Sequence, residues 1–400
     1  LEKAWYVHLD LAELHRDPYP TYAKLRQERP VVWVESLRCW WVTRYADVRA
    51  IMLDDRRFTT VSARSPAMDA FGPQMLSSDG PDHHRYRLAA QPAFTPAVVR
   101  ERYEALVEAS ASSLIDTLIG CGEADLRRAF ASRLPVRVML AALGLPDKFE
   151  PQFRAWYDVF EARLADSSGQ ASLSYEAHGA AADLRDVLEA ALFSPLPPSA
   201  ILAGTMRQAL ADQTLTAQEI SRNLSIIVFG GISTVEALIL NTLWALFGHP
   251  QQLSDVQRSP ELMAAAVEET MRWVSPVQSA TRFAVADVNI EGVTIAAGDK
   301  IGVMLAAANR DSEVFLEPDE FSIYRANARK HLGFAVGPHL CLGSHLARAQ
   351  ARIALSALIF RLPNLRVHAA EVDPEGFEFR QPRALRATWS TATGGIGGQR

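Results

Sequence analysis

Cysteine is nearly missing from this chain: three in 400 residues, at Cys39, Cys121 and Cys341, with no two in CxxC spacing. So odd and sparse a set excludes a disulfide framework and suits a reducing, cytoplasmic compartment. A basic excess is missing too. Lys and Arg number 41 against 46 Asp and Glu, a formal net charge of -5. Without a cationic surplus a chain has no general attraction for phosphate backbones, so nucleic acid is not an expected partner. The opening LEKAWYVHLD lacks the charged-then-apolar order of a secretory signal, and no internal repeat is visible.

What is present is an ordinary folding balance, 48% hydrophobic and 22% charged. One run, residues 224–247, is long and apolar enough to cross a membrane. It carries Glu236 and Asn241, and no cationic flank follows it. A helix apolar on nearly all sides is either a span or the centre of a large protein. Globular-looking sequence on both sides favours the centre, so no membrane is expected. Helical patterns cover residues 18–28, 45–53 (starting near an Asp47 cap), 97–120, 151–165, 175–192 and 261–274. VVWV with CWWVT reads as a strand pair, and VNIEGVTI as a hairpin. The pattern is mainly α with a small β lobe. TATGGIGGQR, residues 391–400, reads as a flexible tail; its glycines follow no strand and open no helix, so they are no dinucleotide site.

GFAVGPHLCLG, residues 333–343, carries chemistry. Leu342, Leu346, Ala349, Ile353, Ala357 and Phe360 recur at helical spacing, which puts Cys341 at or just before a helix N-terminus. Free N–H groups and the positive dipole end favour a thiolate there. Gly337 and Gly343 allow close backbone approach, and Phe334 can shield the sulfur. The residues alone leave three roles open: a buried structural cysteine, a soft-metal ligand, or a zinc ligand with His339 and His345.

FAVGPHLCLG strongly resembles the haem-binding signature of the cytochrome P450 family, with Phe334, Gly337, His339, Cys341 and Gly343 on its fixed positions. Ala335 departs from it, standing where the family usually has glycine. Three further stretches match in order. VEETMRW holds Glu269 and Arg272 at i,i+3, resembling the family's Glu-x-x-Arg pair, which the resemblance completes with an arginine, here Arg325. FGGISTVE resembles the oxygen-binding helix, with Gly230 and Gly231 in the groove and Thr234 assisting dioxygen and relaying protons. Ser233 departs from the family there, which commonly has an acid before that threonine. Glu236, about 200° round the helix from Thr234, does not simply replace that acid. DGPDHHRYR resembles the helix near the haem propionates: His83 and Arg87 match, His84 is left over and exposed, and Arg282 and His339 match the other propionate positions.

The resemblance spans most of the chain. It implies the P450 fold over residues 1–390, with haem between the Thr234 helix and the Cys341 loop. It implies haem b on a Cys341 thiolate, O2 as co-substrate, and NAD(P)H electrons arriving through a ferredoxin or flavodoxin-type donor and its reductase. Arg348 and Arg352, i,i+4 after the cysteine, are expected to attract that donor. The expected activity is insertion of one oxygen atom into a small, largely apolar substrate. Phe71, Met75, Leu76, Phe229, Val277 and Ala280 are the expected pocket, with Tyr157 and DSSGQAS as a mobile lid. Ser233 motivates an alternative, a haem-thiolate enzyme with another outcome such as peroxide-driven oxygenation, coupling or nitration; a non-catalytic haem protein is a further reading.

Overall fold

The computed structural model describes residues 6–166 and 170–391; the end of the Gly-rich tail and part of DSSGQAS lie outside the described residues. Six helices position the site: α1 (Gly80–Ala90), α2 (Glu150–Ala165), α3 (Ala171–Phe193), α4 (Ala217–Gly248), α5 (Met263–Trp273) and α6 (Ser344–Arg361). α4 is the long apolar run. It starts at a capping box, in which Thr216 accepts from the Glu219 N–H while the Glu219 carboxylate accepts from the Thr216 N–H. It runs unbroken through both glycines, so they do not kink it. Its apolar surface is covered by protein, with 78% of its most apolar window buried. The side-chain amide nitrogen of the buried Asn241 donates to the carbonyls of Val274 and Arg380 at 3.0 Å. The expected centre of the fold is therefore observed.

The β lobe is built on a sheet of short strands: β1 (Tyr6–Val7), β2 (Val31–Val34), β3 (Cys39–Val42), β4 (Phe58–Thr59), β5 (Ala280–Ala284) and β6 (Lys300–Val303). Its spatial order is β1-β2-β3-β6-β5-β4. VVWV and CWWV pair antiparallel as expected, Val31 opposite Val42 and Val34 opposite Cys39. β3 then pairs parallel with β6, Trp40 opposite Ile301, joining the two ends of the chain. β5 carries Arg282 opposite Ile301. Residues 288–295 form the expected hairpin, with both turn residues, Glu291 and Gly292, at positive φ.

Three local expectations are corrected. Asp47 does not cap the helix Tyr45–Leu53; the Tyr45 N–H is satisfied from outside by Asp311 Oδ2 at 2.8 Å. The helix expected over residues 97–120 contains a π-helical turn, Val99–Tyr103, before its regular part. Phe360 does not join the buried stripe of α6 and is 46% exposed.

Candidate functional site

Within the long, largely buried α4, Gly230 is exposed and Gly231 and Thr234 are half-buried. A Cβ built on Gly230 would meet no atom within 4 Å, whereas one on Gly231 would strike Met139. Gly231 is thus a packing glycine and Gly230 borders open room. Thr234 Oγ donates to the Gly230 carbonyl at 2.7 Å, the i,i+4 contact the sequence suggested.

The loop before α6 borders room as well. Cys341 is exposed, and a Cβ on Gly343 would also meet nothing within 4 Å. The Cys341 N–H donates to the Phe334 carbonyl at 2.8 Å, which folds the loop back on itself. Gly337, at φ +75°, is required because a Cβ there would lie 2.7 Å from the Met52 carbonyl oxygen. Ala335, in the departing position, is held at φ +59°, in the left-handed region. Protein crowds the sulfur at longer range while leaving it open to water on one side. That desolvation raises the thiol above its ordinary range, outweighing the Gly343 N–H and the charges of Arg87 and Arg348, which lower it. The helix-start effect expected from the sequence is present but does not win in the bare protein.

Phe334 lies under Arg348, whose guanidinium carbon is 4.4 Å from the ring centroid. Arg348 also binds Glu268, and Glu268 Oε2 lies 3.2 Å from His331 Nε2. Arg352 binds Glu104 at 2.7 Å. Both arginines expected to wait for a partner are therefore already engaged, and Arg348 braces the cysteine loop.

At the other edge, α1 supplies His83 and Arg87, and β5 supplies Arg282. Arg282 is 5% exposed and donates only to the Thr281 carbonyl. Among the described residues no ion pair is formed by Arg87 or Arg282, and burial pulls both guanidiniums below the ordinary arginine range. The His83 and His339 rings are 4.2 Å apart. Burial first, then the neighbouring charges of His339 and Arg87, brings His83 down to about 4. His339 Nε2 lies 2.8 Å from Asp79 Oδ1. Burial would raise the Asp79 carboxyl, but the bonds from His339, Thr59 and Thr60 outweigh it and hold it well below the usual range. His84 is exposed, as expected.

The Glu269–Arg272–Arg325 trio is assembled: Arg272 Nη2 is 2.6 Å and Arg325 Nε 3.0 Å from Glu269 Oε1. Among the described residues no group of three His, Cys, Asp or Glu side chains is placed to hold a metal, which leaves the zinc reading without a ligand set.

Phe71, Met75 and Phe229 are buried, with the Phe71 and Phe229 rings 5.9 Å apart. Val277 and Ala280 are half-buried, and Val277 bridges to Phe379. Leu76 is 45% exposed, while its neighbour Met75 is buried and donates its N–H to Asn223 Oδ1 at 2.9 Å. Tyr157 is 4% exposed, stacked on Phe229 at 5.3 Å, and its hydroxyl contacts Ser233 Oγ.

Sequence reasoning missed Asp79, Glu268, His331, Phe160 and Phe379. The doubled glutamate of VEETMRW was a signal for Glu268. Asp79 opens α1 without capping it, which frees its carboxylate for His339. Phe379 reaches Phe229 from far along the chain, and no local pattern announces it.

Comparison with known proteins decides the family. The sequence profile described as Cytochrome P450 matches residues 251–378. The chain is 36% identical over 386 residues to cytochrome P450 monooxygenase PikC of Streptomyces venezuelae, covering 92% of this chain and 89% of the relative. This protein is a cytochrome P450. As a P450 it is a haem-dependent oxidoreductase of the monooxygenase type that uses dioxygen. Solved P450 structures agree in fold. The crystal structure of CalO2 superposes with a TM-score of 0.85 at 31% identity, covering 96% of this chain and 99% of that one. The structure of P450BioI in complex with hexadec-9Z-enoic acid ligated acyl carrier protein gives 0.85 at 30% identity, covering 95% and 100%.

Proposed function

We propose that residues 1–390 form one haem domain in which Cys341 is the proximal ligand, and that the enzyme hydroxylates a small, largely apolar molecule. One observation carries the ligand assignment. Gly230 and Gly343 each border open space, Cys341 beside Gly343 is exposed, and among the described residues the half-buried Arg87 and the buried Arg282 form no ion pair. A flat macrocycle with two carboxylates answers each of these features: soft metal for sulfur, anions for Arg87 and Arg282, and bulk for the room. His83 is close to the same edge and is kept neutral by burial, so it serves as a hydrogen-bonding group rather than a cation.

When bound, the haem supplies dioxygen activation, with the thiolate favouring O–O cleavage. The chain supplies orientation and protons. Thr234 presents a hydroxyl beside the groove at Gly230. Phe71, Phe160, Phe229 and Phe379 make an apolar wall; Phe71 and Phe160 are 4.8 Å apart and Phe229 and Phe379 6.2 Å. Such a wall excludes water and selects apolar carbon over charge. Met75, Val277 and Ala280 extend it.

Electrons come from a separate ferredoxin or flavodoxin-type donor, itself reduced by NAD(P)H. With Arg348 and Arg352 engaged in ion pairs, the docking face rests on what stays open near the cysteine loop, including Leu340, 42% exposed, and His345. The test of the whole reading is spectroscopic. The reduced carbon monoxide complex of the purified protein is expected to show the thiolate-type band, and Cys341→Ser is expected to lose it. Retention of the band in that variant overturns the assignment.

A further inference from the structure

From Ser233 of α4, three residues on from Gly230, a polar network runs outward through the protein. The Ser233 hydroxyl, 2% exposed as a residue, contacts the Tyr157 hydroxyl of α2. Glu161 stands one turn further along α2; burial first, then the Glu161 charge, raises the Tyr157 phenol. Glu236 is i,i+3 from Ser233 and so shares its face of α4. It is 4% exposed, and Arg127 Nε binds it at 2.6 Å.

Tyr157 and Glu236 line a cavity of about 460 Å³ together with Ser132, Arg154, Asp158 and Ile232, with Arg127 and Arg128 at its side. Ser132 Oγ is buried there without any hydrogen-bond partner. A polar cavity of that size holds several waters, and an orphaned hydroxyl on its wall is the partner such a water needs.

We propose that the Tyr157–Ser233 hydroxyl pair, fed by Glu161, Glu236 and the water of this cavity, is the route by which protons reach Thr234. The proposal rests on the P450 reading of the site. Monooxygenation consumes two protons and two electrons per dioxygen, one oxygen atom leaving as water and the other entering the substrate. The electrons belong to the donor; the protons come through the protein and its water. Ser233 occupies the position before Thr234 where the family commonly carries an acid. A hydroxyl there passes a proton only if one side receives it from an acid and the other gives it up. Tyr157 supplies that link, and the acids stand one residue further out. Each carboxyl that releases a proton recovers one from cavity water, so the network returns to its starting state.

The charges facing the acids suit the role. Arg127 and Arg128 come from the π-helical turn Arg127–Ala131, Arg154 and Asp158 from α2. Burial first, countered by Arg127 and reinforced by Glu161, leaves the Glu236 carboxyl at about 7; burial likewise raises Glu161. Near neutral pH such acids hold a proton and can part with it. Tyr157 is raised well above the usual phenol range by burial, so it conducts as a neutral hydroxyl, taking and giving a proton together.

The test needs no known substrate. Infrared spectra of the resting holoprotein are expected to show a carboxylic-acid stretch that titrates near pH 7 and disappears in Glu236→Gln. The dithionite-reduced holoprotein is then reoxidised in air-saturated buffer made with H2O or D2O, across pH. The expected wild-type rate falls as pH rises through the same midpoint and is slower in D2O. Tyr157→Phe and Ser233→Ala are expected to slow reoxidation several-fold and remove the pH step, while Ser233→Thr restores both. Haem content and the carbon monoxide band should be unchanged in all four variants. Variants that keep normal haem, rate, pH step and isotope effect overturn the relay. A wild-type protein that takes up no haem instead overturns the parent reading.

Discussion

Arg272 Nη2 lies 2.6 Å from Glu269 Oε1, and neither side chain reaches solvent. Seen in sequence this is an i,i+3 pair of the kind usually found on a wet helix face and worth little. In the fold it is the centre of a cross-link. Arg272 also donates to the carbonyls of Asn309, Pro318 and Glu320, and Arg325 binds the same Glu269 oxygen.

Glu269→Ala leaves Arg272 and Arg325 without their shared acid. Breaking a buried pair from one side costs roughly 3–5 kcal/mol. The expected outcome is little folded holoprotein, read as haem absorbance per milligram of purified protein. Normal haem content would remove the trio from the structural account.

Ala335 is held at φ +59° by the loop that carries Cys341. A left-handed conformation costs an L-residue about 1–2 kcal/mol that glycine does not incur. Ala335→Gly is therefore expected to raise the melting temperature by a few degrees without moving the carbon monoxide band. A lower melting temperature would mean that the methyl packs favourably enough to offset the strain.

The Glu268 carboxyl is brought down to about 2: burial raises it, but His331 and Arg348 outweigh burial. A folded pKa below the unfolded one gives stability that is present above the ordinary carboxyl pKa, near 4.5, and is lost as pH falls toward 2. Acid unfolding of the wild type is thus expected to steepen over that window. Glu268→Gln should be less stable at neutral pH and show a flatter acid limb in equilibrium melts. An unaltered acid limb would place the pH sensitivity elsewhere.

Arg282 is buried beside Asp79 with no ion-pair partner among the described residues. If haem carboxylates are its partners, Arg282→Ala loses haem faster to an excess of acceptor apoprotein, and Arg87→Ala does the same. The control is Arg352→Ala, which only breaks the Glu104 pair. Equal haem loss in all three would separate the arginines from the haem edge.

Thr234 Oγ is bonded to the Gly230 carbonyl and has Ser233 as its chain neighbour. Thr234→Ala removes the hydroxyl at the end of the proposed proton route. With a donor system and any compound that displaces the ferric spin state, more NADH should end as hydrogen peroxide and less as product. Unchanged coupling would mean that protons arrive without Thr234.

Much of the fold was legible because it rests on local pattern. The unbroken apolar run of α4, the strand pair VVWV/CWWV and the hairpin at 288–295 each follow from period and turn chemistry. The order of the matched stretches placed Cys341, Thr234, Glu269 and Arg282 at the candidate site. Asp47 and Phe360 were misread because local periodicity does not reveal what packs alongside. Asp311 takes the place of a cap at the first, and the second is left 46% exposed.

By itself the sequence determined most of the helices, the strand pair and the hairpin, since spacing and residue chemistry act over a few neighbours, and it singled out Cys341 as the candidate ligand. Only the tertiary structure decided which charges are spent. It gave Arg348 to Glu268 and Arg352 to Glu104, left Arg87 and Arg282 without an ion pair among the described residues, and brought Tyr157 of one helix to Ser233 of another. Those pairings join residues far apart along the chain. Burial fixes their energies, because a charge or hydroxyl removed from water depends on whichever partner the fold supplies.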